Sequence, residues 1–225
     1  MPRMNTKQAM AKLKAMGDEK RRAFNAKRGA GDNQFGVKTG DIRNLAKEIK
    51  VDHELGLSLW ETGNVDAQML AILLVRPKDL SIKELSTMAK EGTCEWVADW
   101  LSSYVFKKRS DMESVREKWM KAKDAMTKRA GWSLTTHRVV KSPDGLDLDA
   151  LLDRLEKEMP KAKPQAQWTM NTCLGEIGVH HPKHRNRVLA MGEAIGFYRD
   201  VPVSKGCLTP YVPVYVNEMV SRQKA

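Results

Sequence analysis

Asp41-Ile42-Arg43-Asn44-Leu45-Ala46-Lys47-Glu48-Ile49 sets Ile42, Leu45, Ala46 and Ile49 at i, i+3, i+4 and i+7, with polar and charged residues between them. That spacing gathers the apolar side chains into one stripe of a helix and leaves the other face to water. Reading outward, the same pattern returns. Thr6 to Met16 and Glu19 to Lys27 precede it; His53 to Trp60, Val65 to Val75 stopped by Pro77, Ser81 to Lys90 stopped by Gly92, and Cys94 to Lys107 follow. A helix capped by Ser110 or Asp111 is expected through Ala122, then Asp124 to Val140, a turn at Ser142-Pro143-Asp144-Gly145, and helices at Leu148 to Met159, Pro164 to Ile177 and Lys183 to Ile195. Strand signals are nearly absent. Successive helix pairs of about 30 to 40 residues predict an all-α solenoid, in which each pair stacks on the last.

The end of the chain reads differently. Phe197 to Cys207 and Tyr211 to Tyr215 are rich in proline, aromatic and β-branched residues, too apolar to stay solvated. Residues 1–196 are expected to form one domain. Residues 197–225 are expected to be an ordered tail packed on it, closing with a short helix near Val216 to Arg222.

The net charge of +11 is unevenly distributed: +8 over residues 1–50, −5 over 51–100, +7 over 101–141, −4 over 142–160 and +5 over 161–225. Such striping can collect basic segments on one side of a repeat array and attract phosphates. Cys94, Cys173 and Cys207 are odd in number, lack a CxxC pair and read as buried small side chains in a reducing compartment. With no apolar leader and Ala71 to Val75 far too short to span a bilayer, a soluble, cytoplasmic, monomeric protein is expected.

Thr93-Cys94-Glu95-Trp96-Val97-Ala98-Asp99-Trp100 carries the most chemistry. At helical spacing Trp96, Asp99 and Ser103 share a face, so a carboxylate stands beside an aromatic surface and suits a flat cationic group. The other reading makes both tryptophans core residues and pairs Asp99 with an arginine. Lys38, Arg43, Lys128, Arg129 and Lys205 are the candidate phosphate contacts, with Lys107, Lys108 and Arg109 as a fringe. Thr39-Gly40 at a helix start adds backbone N–H groups. Glu95 with Asp99, and His180-His181-Pro182-Lys183-His184, are weak metal signals. The histidine run reads better as a loop and cap, and neither metal nor cofactor is expected.

Four segments together resemble the DNA alkylation repair family, the AlkD-like HEAT-repeat alkylpurine DNA glycosylases: Phe35 to Ile49, Trp96 to Asp99, Lys128-Arg129-Ala130-Gly131-Trp132, and Trp168 to Glu176. The resemblance covers roughly residues 35 to 185 and lies in the order and spacing of the segments. It implies a HEAT-like α-α superhelix with a basic concave face for duplex DNA, and hydrolytic release of N3- or N7-alkylated purines. Asp99 then falls at the catalytic aspartate and Arg129 at an arginine facing DNA, with Trp132 and Trp168 beside the lesion. Two positions depart from the pattern. Where the glycosylases carry tryptophans, this chain has Glu95 and Thr172, and Trp96, Trp100 or Trp168 would have to supply the missing surface. An alkylated purine is already a good leaving group, so one carboxylate stabilising the sugar cation can suffice. Three functions stay open: a monofunctional N-glycosylase, a non-catalytic binder of damaged or branched DNA, and a helical-repeat protein scaffold.

Overall fold

The computed structural model describes residues 3–224. Among them are thirteen α-helices and no strand. The chain divides after Met112 into two compact units. That division has no counterpart in the sequence reading, which drew its one boundary at Gly196.

The first unit holds α1 (Thr6–Ala15), α2 (Glu19–Asn25), a π-helical turn (Ala26–Ala30), α3 (Thr39–Ile49), α4 (His53–Trp60), α5 (Val65–Leu74), α6 (Ile82–Glu91) and α7 (Glu95–Tyr104). Polar caps start most of them. Asn5 and Gln8 form a capping box on α1, as do Ser81 and Glu84 on α6, while Asp18, Asp52 and Asn64 accept first-turn N–H groups of α2, α4 and α5. Nearly every residue of α5 is buried, and it packs against α3, α4 and α7. A helix buried on nearly all sides belongs at the centre of its unit. α7 stops at Tyr104 rather than reaching Lys107, because Phe106 to Lys108 tighten into a 3₁₀ turn with Phe106 buried.

One carboxylate fixes the loop that leads into α3. Asp66, buried near the start of α5, accepts the backbone N–H groups of Phe35 (2.6 Å), Gly36 (3.1 Å) and Val37 (3.1 Å). Burial raises its pKa above the ordinary carboxylate value, while the three N–H groups pull it back down. Gly36 is required there twice over. Its φ is 76°, and a Cβ would come within 2.5 Å of the Asp18 carbonyl oxygen.

The second unit holds α8 (Glu113–Met120), α9 (Ala125–Lys141), α10 (Leu148–Glu158), α11 (Pro164–His180), α12 (Arg185–Ile195) and α13 (Val212–Lys224). α11 lies against α9, α10, α12 and α13. Trp132, Val139, Leu152, Leu155, Met170, Leu174, Ile177, Val188 and Val216 share the core. α8 begins later than expected, after a 3₁₀ turn over Ser110–Met112.

The final helix is longer than the expected Val216 to Arg222, with Pro213 tolerated in its first turn. Tyr211, Val212 and Val216 are buried. Helix glycines make that seat possible: a Cβ on Gly178 would meet Val188 at 2.8 Å and Val216 at 3.0 Å, and one on Gly192 would meet Val212 at 2.9 Å. Between α12 and α13 the chain is more open, with Val201 and Val203 exposed at 45% and 44%.

Candidate nucleic-acid interface

On α7, Val97 and Leu101 enter the core of the first unit and fix the helix, so the opposite side chains face outward. Glu95, Asp99, Ser103 and Tyr104 are exposed, and Trp96 and Trp100 are half-buried. The face shared by Trp96, Asp99 and Ser103 is therefore a solvent face, and neither tryptophan is a core residue. Each ring lies against a guanidinium. Arg28, from the π-helical turn, has its Cζ 5.9 Å from the Trp96 ring centroid and 5.4 Å from that of Phe24. Arg43, from α3, sits closer, 4.5 Å from the Trp100 centroid. Trp100 in turn meets Tyr104 at 5.4 Å, tilted by 51°.

Asp99 lies within electrostatic reach of Lys107: burial lowers the pKa of that half-buried ammonium, and the Asp99 carboxylate opposes the shift. Lys38 and Arg43 are exposed at the start of α3, as phosphate contacts must be. Arg109 is not available for that role. Its guanidinium binds Asp111 and the carbonyls of Pro77 and Leu80, stapling the turn before α6.

In the second unit the five residues singled out on α9 and α11 separate. Trp132 is fully buried, which corrects its assignment to a DNA-facing surface. Thr135 and Val139, at i+3 and i+7, are buried with it, so this stripe of α9 belongs to the core. Arg154 closes over the Trp132 ring at 5.4 Å. Arg129 is buried too, at 2% exposure, and its Nη1 donates to the Gln165 carbonyl at 2.9 Å.

Trp168 is exposed and meets the Tyr198 ring edge-on at 5.4 Å. The Thr172 hydroxyl turns back to donate to the Trp168 carbonyl at 2.9 Å. Both line a largely apolar cavity of about 200 Å³ with Asn171, Pro210, Val212 and Tyr215. Lys128 is half-buried and Lys205 exposed.

Burial lifts the thiols of Cys94 to about 11 and Cys173 to about 12. Cys207 is exposed, contrary to its expected burial, as is every residue of the 201–207 segment that carries it. The three partnered histidines of the 180–184 run go separate ways: His180 to Glu176, His181 to the Val139 carbonyl and His184 to Asp149. Among the described residues no group of three or more His, Cys, Asp or Glu could hold a metal ion, and no helix is long and apolar enough to cross a membrane.

Residues 9–193 match the family model described as DNA alkylation repair enzyme. The chain belongs to that family. Among curated relatives of the chain, an uncharacterized protein of Listeria innocua is 22% identical over 192 residues, covering 84% of each chain. One of Listeria monocytogenes is 21% identical over 194 residues, covering 84% of this chain and 85% of the other. A solved structure superposes with a TM-score of 0.78 at 20% identity, over 98% of this chain and 94% of the other. It is described as a member of a new family related to the HEAT-like repeat DNA glycosylases with affinity for branched DNA structures. At that likeness the two chains share a fold, and this chain is HEAT-like.

Proposed function

We propose that this member of the DNA alkylation repair family binds duplex DNA at branched or damaged sites through a basic surface on its first unit, without excising a base. One observation carries the reading: four of the nine acidic residues between 51 and 100 are taken up by caps, a loop anchor and an ion pair, while basic residues before them stand in solvent. Asp52 caps α4 and binds Arg3, Asp66 holds the loop before α3, Asp79 pairs with Arg76, and Glu84 closes a capping box. Lys27, Arg28, Lys38, Arg43 and Lys47 are exposed. Carboxylates taken up in that way offset less of the neighbouring positive potential, which is left for phosphates.

The expected binding is weakly dependent on sequence and steeply dependent on salt. Lys38→Ala and Arg43→Ala should each flatten the slope of log affinity against log salt by about 1. No binding at low salt, or affinity indifferent to salt, sinks the reading.

Asp99 favours a second reading, a monofunctional N-glycosylase, because its carboxylate is exposed beside Trp96 on α7. Against it, Trp96 and Trp100 already lie beneath resident guanidinium groups, which a cationic alkylpurine would have to displace. Chromatography of methylated duplex should show no released N3- or N7-methylpurine, from wild type or from Asp99→Asn. Release by wild type that Asp99→Asn abolishes establishes the glycosylase instead.

A further inference from the structure

We propose that the row of rings and guanidinium groups on the first unit is a stacking platform for unpaired bases, so that a single strand at a branch is gripped by its bases as well as its phosphates. The inference rests on the DNA-binding reading above and names the feature of branched DNA that this surface takes.

Trp96, Trp100 and Tyr104 stand at i, i+4 and i+8 on α7, each step rising about 6 Å along the helix. Arg28 bridges the Trp96 ring to Phe24, and Arg43 covers Trp100, which touches Tyr104. The outer members keep ring surface in solvent, where a base can reach it: Phe24 is 55% and Tyr104 37% exposed. Nor is the row an ordinary apolar patch. A guanidinium lying near a ring is a flat, weakly hydrated cation, and its plane takes a nucleobase as readily as an aromatic face does.

The charges around the row orient the strand. Lys27, Arg28, Lys38 and Arg43, exposed on the segments before α7, attract phosphates. A polynucleotide lying here turns its bases to α7 and its backbone to those cations. Paired bases inside a duplex hide their faces from such a platform; an unpaired arm exposes them.

The test is equilibrium binding of the full chain to three labelled DNAs: a blunt duplex, the same duplex with a thymine arm, and the same duplex with an abasic arm of equal length. Both arms carry the same phosphates and only one carries bases. Wild type should bind the thymine arm about tenfold tighter than the abasic arm, the scale of one to two stacked bases. That ratio should hold between roughly 50 and 200 mM salt while all three affinities fall. The double variant Phe24→Ala, Tyr104→Ala removes two exposed rings, and the ratio should drop toward one. Equal affinity of wild type for the two arms, or a ratio unchanged in the variant, overturns the platform. If salt-sensitive duplex binding persists in those cases, the DNA-binding reading stands without it. Failure to bind any of the three DNAs at low salt overturns both.

Discussion

Arg43 over Trp100 and Arg154 over Trp132 are the same pair of side chains put to opposite uses. In the first unit both members meet solvent on the outer side of α7, with Arg43 exposed and Trp100 half-buried. In the second unit Trp132 is at 0% exposure, and Arg154 is held by Glu158 at 2.9 Å while it covers the buried ring. An indole with a cation thus lies at the solvent surface in one place and is a sealed piece of core in the other. The deciding factor is the rest of the helix face. Asp99 and Ser103 keep the Trp96 side of α7 in water, whereas Thr135 and Val139 carry the Trp132 side of α9 into the core.

The largest test of that contrast is to remove the tail after Gly196. The second unit would lose Tyr211, Val212 and Val216 from its core, each worth about 1.5 to 3 kcal/mol of burial, together with the Tyr215 hydroxyl that donates to Glu176 at 2.6 Å. The expected outcome is loss of the second unit's cooperative unfolding transition in urea, with the first unit's transition retained. A truncated protein that melts like wild type would show that α13 is an ornament on the fold.

Next in size is the pair of tryptophans. Trp132→Ala should cost about 3 to 5 kcal/mol, the usual range for a large core side chain. Trp100→Ala should cost about 1 kcal/mol, on the order of an exposed cation–π pair. DNA affinity should move the other way, falling for Trp100→Ala and holding for Trp132→Ala wherever that variant is still folded. Urea midpoints beside gel-shift titrations read both. Equal stability losses would erase the distinction drawn between the two faces.

The helices were legible because their signals are local, in apolar spacing such as that of Ile42, Leu45, Ala46 and Ile49 and in stops at Pro77 and Gly92. The face of α7 was legible for the same reason, since Trp96, Asp99 and Ser103 lie within two turns. Which way Trp132 points was not, because it depends on packing among α8, α10 and α11 that no spacing encodes. Arg28 and Phe24 were missed although they stand at i and i+4, since nothing local links them to Trp96 more than sixty residues on. One signal was present and unread. Gly175, Gly178 and Gly192 sit inside helices, where glycine costs about 1 kcal/mol unless another element needs the space. α13 is that element.

Asp66→Ala probes the loop that sets the direction of α3, and with it Lys38 and Arg43. It leaves three buried or half-buried N–H groups without their acceptor, so a loss of about 2 to 3 kcal/mol is expected. Asp66→Asn should recover part of it, since an amide oxygen still accepts. If either variant unfolds at the wild-type urea concentration, water replaces the carboxylate at no cost and the loop is not anchored from α5.

The smallest effect expected is a pH dependence in the first unit. Asp52 is 7% exposed, and its pKa lies below the ordinary carboxylate value chiefly because Arg3 donates to it, with the Leu55 N–H adding to the shift against the opposing effect of burial. A carboxylate depressed in the folded state contributes stability that is present above its unfolded pKa and lost as the pH falls through its folded one. Arg3 is largely exposed, so solvent screening keeps the contribution of the ion pair small. Asp79, Glu84, Asp111 and Glu113 are depressed as well, so acid destabilisation of wild type alone does not isolate Asp52. The difference between wild type and Asp52→Asn does. That variant retains an N-cap side chain on α4 but has no charge to lose, so the gap between the two urea midpoints should be widest at neutral pH and close below the ordinary carboxylate range. A gap that stays constant with pH would mean that Asp52 acts through capping alone and that its pairing with Arg3 adds nothing to the first unit.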